Sequence, residues 1–445
     1  MTDETVDNVL FVTYDSLRYD VWNQMQDDLV AGPKLEGAGV AFERAFATGP
    51  GTSPSFPGVL TGTLPLSHGG LGPLTAERPR VAEQFRSQGF STAGFHSNPF
   101  LSTHFNYDVG FDTFTDYQNP LMGVATKIFP RGIEINNPKL ERVDDLLNLT
   151  GMIKSAYQAV SDKPRPYVGA EVITDDAIDW LNGADDPFFC WAHYMDVHHP
   201  CHPPASYRAA FGVEHVDMET VSELYSKLLD DSQSLTESQL ADMRDLYRAA
   251  IVHVDEQIDR LLRTLESNGQ LDDTLVVLTS DHGELFGEHG QYGKPERMYD
   301  ELIQVPLVVL NGPSGLSDAA GDLVSLLDLP PLFHEAVGGD VPAAYEGQSP
   351  TEPRDHVVAE HEVGGDPVVG VRSADWCYEI DRIRDERRLL EAETGLEVDR
   401  TDAEAARVRE LADGRVRSLG GEVESVSEDH LDADVEARLE DLGYR

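Results

Sequence analysis

The sequence predicts an α/β fold built on a mainly parallel sheet that is flanked by helices. Three short apolar runs, at positions 9–14, 188–192 and 275–279, each end abruptly in polar or charged residues. Continuous apolar runs of this length indicate strands that are buried on both faces, as in a parallel sheet. Between the second and third runs, positions 246–268 carry one apolar stripe with helical spacing, and Gly269 follows as a stop signal. Strands that alternate with helices are typical of α/β proteins.

The rest of the chain divides into two excursions and a C-terminal unit. The first excursion, at 120–165, lacks periodicity, so we predict that it is an inserted cap. The second excursion, at 211–245, is acidic and has a helical pattern. After about position 350, strand-like runs alternate with charge-rich stretches, and a last helical pattern lies near the end. We therefore predict a large α/β domain at 1–345 and a small α+β subdomain at 346–445.

The chain is strongly acidic. Its 445 residues include 34 Lys and Arg against 80 Asp and Glu, which gives a formal charge of −46. The acidic residues are spread along the whole chain and 40% of the residues are hydrophobic, which excludes a disordered acidic tail as the source of the charge. The composition predicts a halophilic protein whose carboxylate-rich surface holds water and cations. Nucleic acid and anionic membranes are not expected as partners, because both would be repelled.

Targeting and disulfide signals are lacking in the sequence. The first residues, MTDETVDNVLFVTYDSLR, have neither the basic region nor the cleavage site of a signal peptide. No apolar run reaches the roughly eighteen residues that span a membrane. The three cysteines, Cys190, Cys201 and Cys377, lack the spacing of a metal site or a disulfide framework. We expect a cytoplasmic protein without membrane insertion.

Three residues that can bind a metal follow two of the predicted strands. Asp15 comes directly after the first apolar run, and Asp281 and His282 come after the third. In α/β folds the reactive groups collect beyond the carboxyl ends of the strands. Each residue alone is better explained as part of a turn or a helix cap. As a set they are oxygen and nitrogen ligands suited to a divalent ion, so we predict a metal site.

Five segments resemble, in order, the sulfatase family of the alkaline phosphatase superfamily. They are VLFVTYDSLR at 9–18, TSPSFPGVLTG at 52–62, HYMDVHHP at 193–200, TSDHGELFGEHGQYGK at 279–294 and YDELIQVPLVVL at 299–310. Later landmarks extend the resemblance over nearly the whole chain, and such an ordered series is not expected by chance. The resemblance implies the α/β fold of that superfamily and the hydrolysis of sulfate or phosphate esters.

The resemblance also implies a set of metal ligands. Asp15 matches the first metal-binding aspartate of the family, and Asp281 and His282 match its later Asp-His/Asn pair. Many relatives have a second aspartate after the first, where this chain has Ser16, so one ligand is replaced. Thr52, at the nucleophile position, completes the predicted set. We expect one divalent ion, with Ca²⁺, Mg²⁺ or Mn²⁺ ranked ahead of Zn²⁺.

The catalytic residues implied by the resemblance are Thr52, His198 and Lys294. Thr52 stands where a sulfatase has the cysteine that is oxidised to formylglycine, and Phe56 replaces the arginine that follows it. Lys294 matches a lysine that contacts the ester oxygens or the nucleophile, and His198 matches a histidine that binds the anion or protonates the leaving group. The neighbouring His199 is a second candidate for substrate binding, ranked behind His198.

For four further residues we considered a structural role beside a functional one. His193 is predicted to form a structural hydrogen bond at a strand end, and His253 is predicted to pack inside the long helix. Arg18 is predicted to hold its loop by pairing with carboxylates. For His289, a role beside the substrate or behind the site stays open against a structural one.

Threonine changes the second half of the expected reaction. A metal-activated hydroxyl can attack sulfur or phosphorus and form a threonyl ester. Formylglycine hydrate expels sulfate through its second hydroxyl, whereas a threonyl ester requires attack by water. This difference shifts the prediction from sulfate esters towards phosphate mono- or diesters, or phosphoryl transfer, on a small-molecule or glycan substrate.

Two alternatives remain at this point. One is a catalytically inactive relative that binds an anionic ligand, which the missing cysteine and arginine favour and the retained metal ligands oppose. The other is a two-zinc phosphatase, which would need a further set of Asp and His ligands that the sequence lacks at the expected positions. The sequence does not predict the natural substrate or the oligomeric state.

Overall fold

The structure is a computed structural model that describes residues 5–117, 167–184, 187–392 and 394–420. The cap predicted at 120–165 and the last helical pattern lie outside the described residues. The described strands are β1 (Asn8–Tyr14), β2 (Val40–Phe46), β3 (Ser91–Phe95), β4 (Thr113–Thr115), β5 (Phe188–Tyr194), β6 (Thr274–Ser280), β7 (Leu285–Phe286), β8 (Tyr292–Gly293), β9 (Gln304–Leu310), β10 (Leu323–Ser325), β11 (Val357–Val363), β12 (Asp366–Arg372), β13 (Trp376–Asp381) and β14 (Glu386–Glu391). The described α-helices are α1 (Tyr19–Gln24), α2 (Ala31–Ala38), α3 (Thr52–Thr61), α4 (Val81–Ser87), α5 (Ala170–Leu181), α6 (Ala205–Ala210), α7 (Met218–Asp231), α8 (Glu237–Asn268), α9 (Asp300–Ile303), α10 (Leu329–Ala336) and α11 (Ala403–Ser418).

One large sheet forms the centre of the described chain, with the strand order β10-β2-β9-β6-β1-β5-β3-β4. β1 lies between β5 and β6 and runs parallel to both. β9 is antiparallel to β6 and to β2, so the sheet is mixed but mainly parallel. With helices packed on both faces, this architecture confirms the predicted α/β class.

Successive residues of β1 alternate between two hydrophobic cores, one on each face of the sheet. Phe11 packs against Phe333 of α10, with ring centroids 5.1 Å apart. Leu10 and Val12 belong to the opposite core, which α8 covers with side chains such as Ile258. Every residue of β1 is buried, which explains why its sequence is continuously apolar instead of alternating.

The long helix α8 begins earlier than predicted. The apolar stripe indicates a helix at 246–268, but the helix starts at Glu237 because Thr236 and Gln239 form a capping box there. The first turns are too polar for their periodicity to be recognised. The helix ends as predicted at Gly269, whose φ of 72° suits the left-handed position after a helix.

The C-terminal part forms a small antiparallel sheet, β11 to β14, which α11 covers. Arg297, which precedes α9, ties this sheet to the main domain by pairing with Glu379, Asp381 and Glu386. The α+β character of the C-terminal unit is thus confirmed, while the boundary at 345/346 stays a prediction. Among the described helices, none combines the length and apolar character needed to cross a membrane.

Candidate active site

The carboxyl ends of β1 and β6 bring two aspartates to the same edge of the sheet. Asp15 follows β1, and its backbone N–H donates to the carbonyl oxygen of Tyr194 at the end of β5 (2.9 Å). Asp281 follows β6 and donates in the same way to Tyr14 (3.1 Å). Because these strands are parallel and in register, both aspartates leave the sheet at the edge where α/β folds collect reactive groups.

Asp15, Asp281 and His282 form a compact cluster beside Thr52. One potential ligand atom of each of these three residues lies within 4.8 Å of the others, and all three side chains are fully buried. Thr52 Oγ1 lies 3.4 Å from Asp15 Oδ2 and 3.3 Å from His282 Nε2. The fold therefore brings residues from three separate parts of the chain within hydrogen-bonding range of each other.

Thr52 is the first residue of α3, at the end of the helix where backbone N–H groups lack helical acceptors. Gly51 precedes it in an extended conformation, and its carbonyl oxygen accepts from the N–H of Ser55 (3.0 Å). The helix dipole places a partial positive charge beside the Thr52 hydroxyl. An anionic oxygen at this position is therefore stabilised by the helix.

The lone pairs of His282 Nε2 and of the Asp15 and Asp281 carboxylate oxygens face one another. His282 Nδ1 lies 2.8 Å from the carbonyl oxygen of Gly283, which can only accept, so Nδ1 carries the proton and Nε2 the lone pair. His282 Nε2 lies 3.5 Å from Asp281 Oδ2 and 3.6 Å from Asp15 Oδ1. Within the described residues, the buried Asp281 Oδ2 accepts no hydrogen bond. This convergence of oxygen and nitrogen lone pairs fits a divalent cation.

Burial and neighbouring charges determine the protonation of the cluster. Burial raises the pKa of Asp281, and the negative charge of Asp15 raises it further. Burial acts in the same direction on Asp15, but the surrounding imidazoles, His198 first, hold its pKa well below the usual range. Burial lowers the pKa of His282 to about 4, so this ring is neutral near pH 7. The raised pKa means that Asp281 tends to keep its proton in the absence of a cation. A divalent cation would favour the ionised form of both aspartates and balance their two negative charges.

Ser16, which follows Asp15 directly, acts as a hydrogen-bond donor. Its φ of 68° is left-handed, and its carbonyl oxygen accepts from the hydroxyl of Tyr247 (2.7 Å). In this conformation the Ser16 N–H donates to Asp281 Oδ1 (3.1 Å), and the Ser16 hydroxyl donates to Asp15 Oδ1 (2.8 Å). The serine thus orients both carboxylates without adding a third negative charge.

Lys294 and His198 are in direct contact. Lys294 Nζ lies 2.5 Å from His198 Nε2. His198 Nδ1 lies 2.5 Å from the carbonyl oxygen of His199, so Nδ1 donates and Nε2 accepts from the lysine. Burial lowers the pKa of His198 to about 3, and the charge of Lys294 acts in the same direction. The half-buried lysine also lowers the pKa of Asp281, against the larger effects of burial and Asp15.

His199 is held by a buried carboxylate. Its Nδ1 lies 3.0 Å from Glu284 Oε2, and both side chains are fully buried. The ring stacks on those of Tyr225 and Tyr247, with centroids 5.3 and 6.1 Å away. Burial would lower the pKa of His199, but Cys201 and Glu284 outweigh it and raise the pKa to about 10. A charged and enclosed ring fits a supporting role better than the predicted contact with substrate.

Phe56 and His193 belong to a buried aromatic cluster next to α3. Phe56 is fully buried and packs on Trp191 and Tyr107, with centroids 5.5 and 6.4 Å away. His193 Nδ1 lies 2.9 Å from the hydroxyl oxygen of Thr13. His193 therefore makes the predicted structural hydrogen bond through Nδ1, while its Nε2 lies 3.3 Å from Asp15 Oδ2.

Arg18, His253 and His289 each pair with carboxylates. The partners are Asp20 and Glu288 for Arg18 (2.8 Å each), Glu171 for His253 (3.1 Å) and Glu301 for His289 (3.2 Å). These pairings agree with the structural roles expected of Arg18 and His253. They also favour a structural role for His289, whose ring stacks on Tyr299 at 3.8 Å.

Two residues of the site, Asn98 and Glu284, were not identified from the sequence. Asn98 follows the short strand β3, and its Nδ2 donates to Asp15 Oδ2 (2.7 Å). The available signal was the polar run His96-Ser97-Asn98 directly after a brief apolar stretch. Glu284 lies within the DHGE stretch, but its role depends on His199, 85 residues away in the chain.

The family match identifies the chain as a hydrolase that acts on sulfate or phosphate esters. More particularly, the chain belongs to the sulfatase family, whose model matches residues 7–339, about three quarters of the chain. This confirms the family that the five sequence segments indicated.

Individual relatives agree with this assignment. The arylsulfatase of Clostridium perfringens (strain 13 / Type A) is 23% identical over 400 residues, which cover 81% of this chain and 82% of that protein. The phosphonate monoester hydrolase SpPMH from Silicibacter pomeroyi has a TM-score of 0.63 at 20% identity, covering 95% of this chain and 98% of its own. BT4656, solved with its substrate D-glucosamine-2-N,6-O-disulfate, has a TM-score of 0.67 at 16% identity, covering 95% and 100%. At these identities the structural likeness shows a shared fold and assigns neither substrate to this chain.

Proposed function

We propose that the protein hydrolyses sulfate or phosphate esters with Thr52 as the nucleophile, in a site that binds one divalent cation. The observation that carries this proposal is the position of Thr52 Oγ1, 3.3 Å from His282 Nε2 and 3.4 Å from Asp15 Oδ2. Asp15, Asp281 and His282 would hold the cation. The substrate class that fits the family and the site is a small-molecule or glycan ester.

Thr52 needs activation, because a hydroxyl is a weak nucleophile near neutral pH. Asp15 Oδ2 lies where it can accept the hydrogen of the Thr52 hydroxyl, and the dipole of α3 favours a negative oxygen at Oγ1. A bound divalent cation would add stabilisation of the alkoxide and of the ester oxygens. The carboxylate ligands suit Ca²⁺, Mg²⁺ or Mn²⁺.

Lys294 and His198 fit a role at the departing oxygen. With a pKa of about 3, His198 is not protonated at rest, so it is not the proton donor, and its Nε2 lies against Lys294 Nζ. His198 Nε2 accepts from the ammonium and thereby orients it. In the reaction, Lys294 would donate to the leaving oxygen and stabilise the charge that develops there.

The second step distinguishes this site from one that carries formylglycine. The threonyl ester has only one oxygen on its Cβ, so water must attack at sulfur or phosphorus while Thr52 Oγ1 departs and regains its proton. Attack by water or an alcohol at a phosphoryl centre is the established way to resolve such esters. For this reason we favour phosphate mono- or diesters, or phosphoryl transfer, over sulfate esters.

The test is turnover of 4-nitrophenyl sulfate, 4-nitrophenyl phosphate and bis(4-nitrophenyl) phosphate in high salt with Mn²⁺, Mg²⁺, Ca²⁺ or Zn²⁺. Thr52→Val removes the hydroxyl and keeps the shape of the side chain, while Thr52→Ser keeps the hydroxyl. We expect Thr52→Val to reduce kcat by at least ~10³-fold and Thr52→Ser to retain part of the activity. Turnover that survives Thr52→Val would overturn the assignment of the nucleophile.

An inactive relative that binds an anion is the alternative. The replacements by Ser16 and Phe56 favour it, because both remove a charged group that the family carries. A protein that binds Mn²⁺ and inorganic phosphate or sulfate but turns over none of the three esters would support this alternative.

A further inference from the structure

Asn98 is a buried amide that contacts both Asp15 and Thr52. It follows β3 in a loop at the same edge of the sheet, and its side chain is fully buried. Nδ2 donates to Asp15 Oδ2 at 2.7 Å and lies 3.4 Å from Thr52 Oγ1. Oδ1 accepts from the backbone N–H of Phe100 at 2.9 Å.

The orientation of this amide follows from its partners. The backbone N–H of Phe100 can only donate, so the amide atom that faces it is Oδ1. The ionised carboxylate of Asp15 can only accept, so the atom that faces it is Nδ2. Asn98 therefore presents N–H donors to the cluster, and its oxygen is turned away from it.

We propose that Asn98 is a positioning residue that aligns Asp15 Oδ2 with the hydroxyl of Thr52. This inference rests on the proposed function, because it assigns Asn98 to the same nucleophile. Asp15 Oδ2 is the acceptor for both the Asn98 amide and the Thr52 hydroxyl, and His193 Nε2 lies 3.3 Å from the same oxygen. The amide contact is the shortest of the three, at 2.7 Å, so it contributes most to where that oxygen stands. The second amide hydrogen points towards Thr52 Oγ1 and stabilises the oxygen as it becomes negative.

A purely structural role for Asn98 makes a different prediction. Asn98 also caps a short 3-10 turn at Pro99–Leu101, through its bond with Phe100. Serine and aspartate are good caps and would preserve that function. Neither can donate an N–H to Asp15, so Asn98→Ser and Asn98→Asp separate the positioning role from the capping role.

The experiment measures kcat and KM for the best ester, the Mn²⁺ affinity by competition with a chelating dye, and the melting temperature. We expect Asn98→Ser to lower kcat by about 10²-fold with KM within about threefold, because the contacts of the amide are with Asp15 and Thr52. We expect Asn98→Asp to lower kcat similarly and to tighten Mn²⁺ binding by about tenfold, because it adds a carboxylate to the cluster. Both variants should melt within a few degrees of wild type.

A matched control is Asn311→Ala, since the Asn311 amide also donates two hydrogen bonds, to the carbonyl oxygens of Leu271 and Thr274. Thr274 begins β6, at the opposite end of the strand from the site, so kcat should be unchanged in this variant. The inference is overturned if Asn98→Ser keeps kcat within about twofold of wild type while Thr52→Val abolishes turnover. If instead no turnover depends on Thr52, the proposed function fails, and this inference fails with it.

Discussion

Phe56 packs edge to face against His193, with ring centroids 5.1 Å apart and 87° between the ring planes. His193 Nε2 in turn lies 3.3 Å from Asp15 Oδ2. Phe56 therefore supports the site through apolar contacts. A charge at position 56 would have to be buried within an aromatic cluster.

Substitution of Phe56 by alanine or by arginine should destabilise the fold. Phe56→Ala is expected to lower the free energy of unfolding by about 3–5 kcal/mol, because the side chain is fully buried. Phe56→Arg should cost at least as much, since it buries an unpaired guanidinium. Urea denaturation checks both, with the partly buried Phe90→Ala as a milder control. A wild-type midpoint for Phe56→Arg would contradict the packing role.

Removal of the Lys294 ammonium should affect substrates according to their leaving groups. Lys294→Met keeps the length of the side chain and removes the proton that lies against His198. We expect kcat for an alkyl phosphate to fall by about 10²–10⁴-fold, and that for a nitrophenyl ester to fall much less, because nitrophenolate leaves without a proton. Steady-state kinetics on the two substrates measure this. Lys34→Met, on the surface beside Glu266, is the control, and equal losses on both substrates would argue against proton donation.

The effect of Asp281→Asn on stability should depend on whether a divalent metal is present. In a chelating buffer the variant is expected to melt no lower than wild type, because it removes one of two adjacent buried carboxylates. With Mn²⁺ at 100 times its dissociation constant, wild type should gain about 2.7 kcal/mol and the variant little. Asp255→Asn is the matched control, since Asp255 accepts from three backbone N–H groups of or next to α2 and should lose stability equally in both buffers. If no divalent ion raises the melting temperature of wild type, the metal site is refuted.

His334 should make the fold sensitive to acid. Its buried ring stacks on Phe85 at 4.7 Å, and burial lowers its pKa from 6.5 to about 4. The unfolded chain binds this proton more readily, so the stability is complete above pH 6.5 and is lost as the pH falls towards 4. The loss attributable to this group is on the order of 3 kcal/mol.

His334→Phe should therefore flatten the pH dependence over that window. Urea midpoints at pH 7.5, 6, 5 and 4 would show the difference between wild type and variant shrinking, or changing sign, as the pH falls. His215→Phe, at a side chain that is 62% exposed, should leave the profile unchanged. Parallel profiles for wild type and His334→Phe would be the contrary result.

Salt should stabilise this protein. With a formal charge of −46, the folded chain repels itself strongly at low ionic strength, where the Debye length is long. The melting temperature is expected to rise steadily as KCl increases from 0.1 M to above 2 M. Calorimetry at fixed pH measures this, and a maximum of stability below 0.2 M would contradict the halophilic interpretation.

Much of the fold could be predicted because its strongest signals are local. The first apolar run and its terminal Asp15 lie within a few residues of each other, and so do the third run and Asp281. Once both runs are assigned to a parallel sheet, geometry places their carboxyl ends at one edge. The start of α8 was missed because the cap at Thr236 precedes polar turns without an apolar stripe.

Contacts that join distant parts of the chain could not be predicted in this way. Asn98 meets Asp15 only because β3 lies two strands from β1 in the sheet, an order that periodicity does not contain. The pairing of His199 with Glu284 likewise depends on the loops after β5 and β6 being adjacent to each other. No local pattern distinguishes these residues from other polar groups in loops.

The sequence by itself determined the α/β class, the family and the strand ends that carry Asp15, Asp281 and His282, because apolar runs and ordered segments are read along the chain. Only the tertiary structure decided how those side chains are oriented. In the structure, Thr52 lies at the start of a helix beside them. The Ser16 hydroxyl donates to Asp15, and the Asn98 amide donates to the same carboxylate. These outcomes depend on distances of about 3 Å between residues that are far apart in the chain, and such distances are set by the packing of the strands and loops.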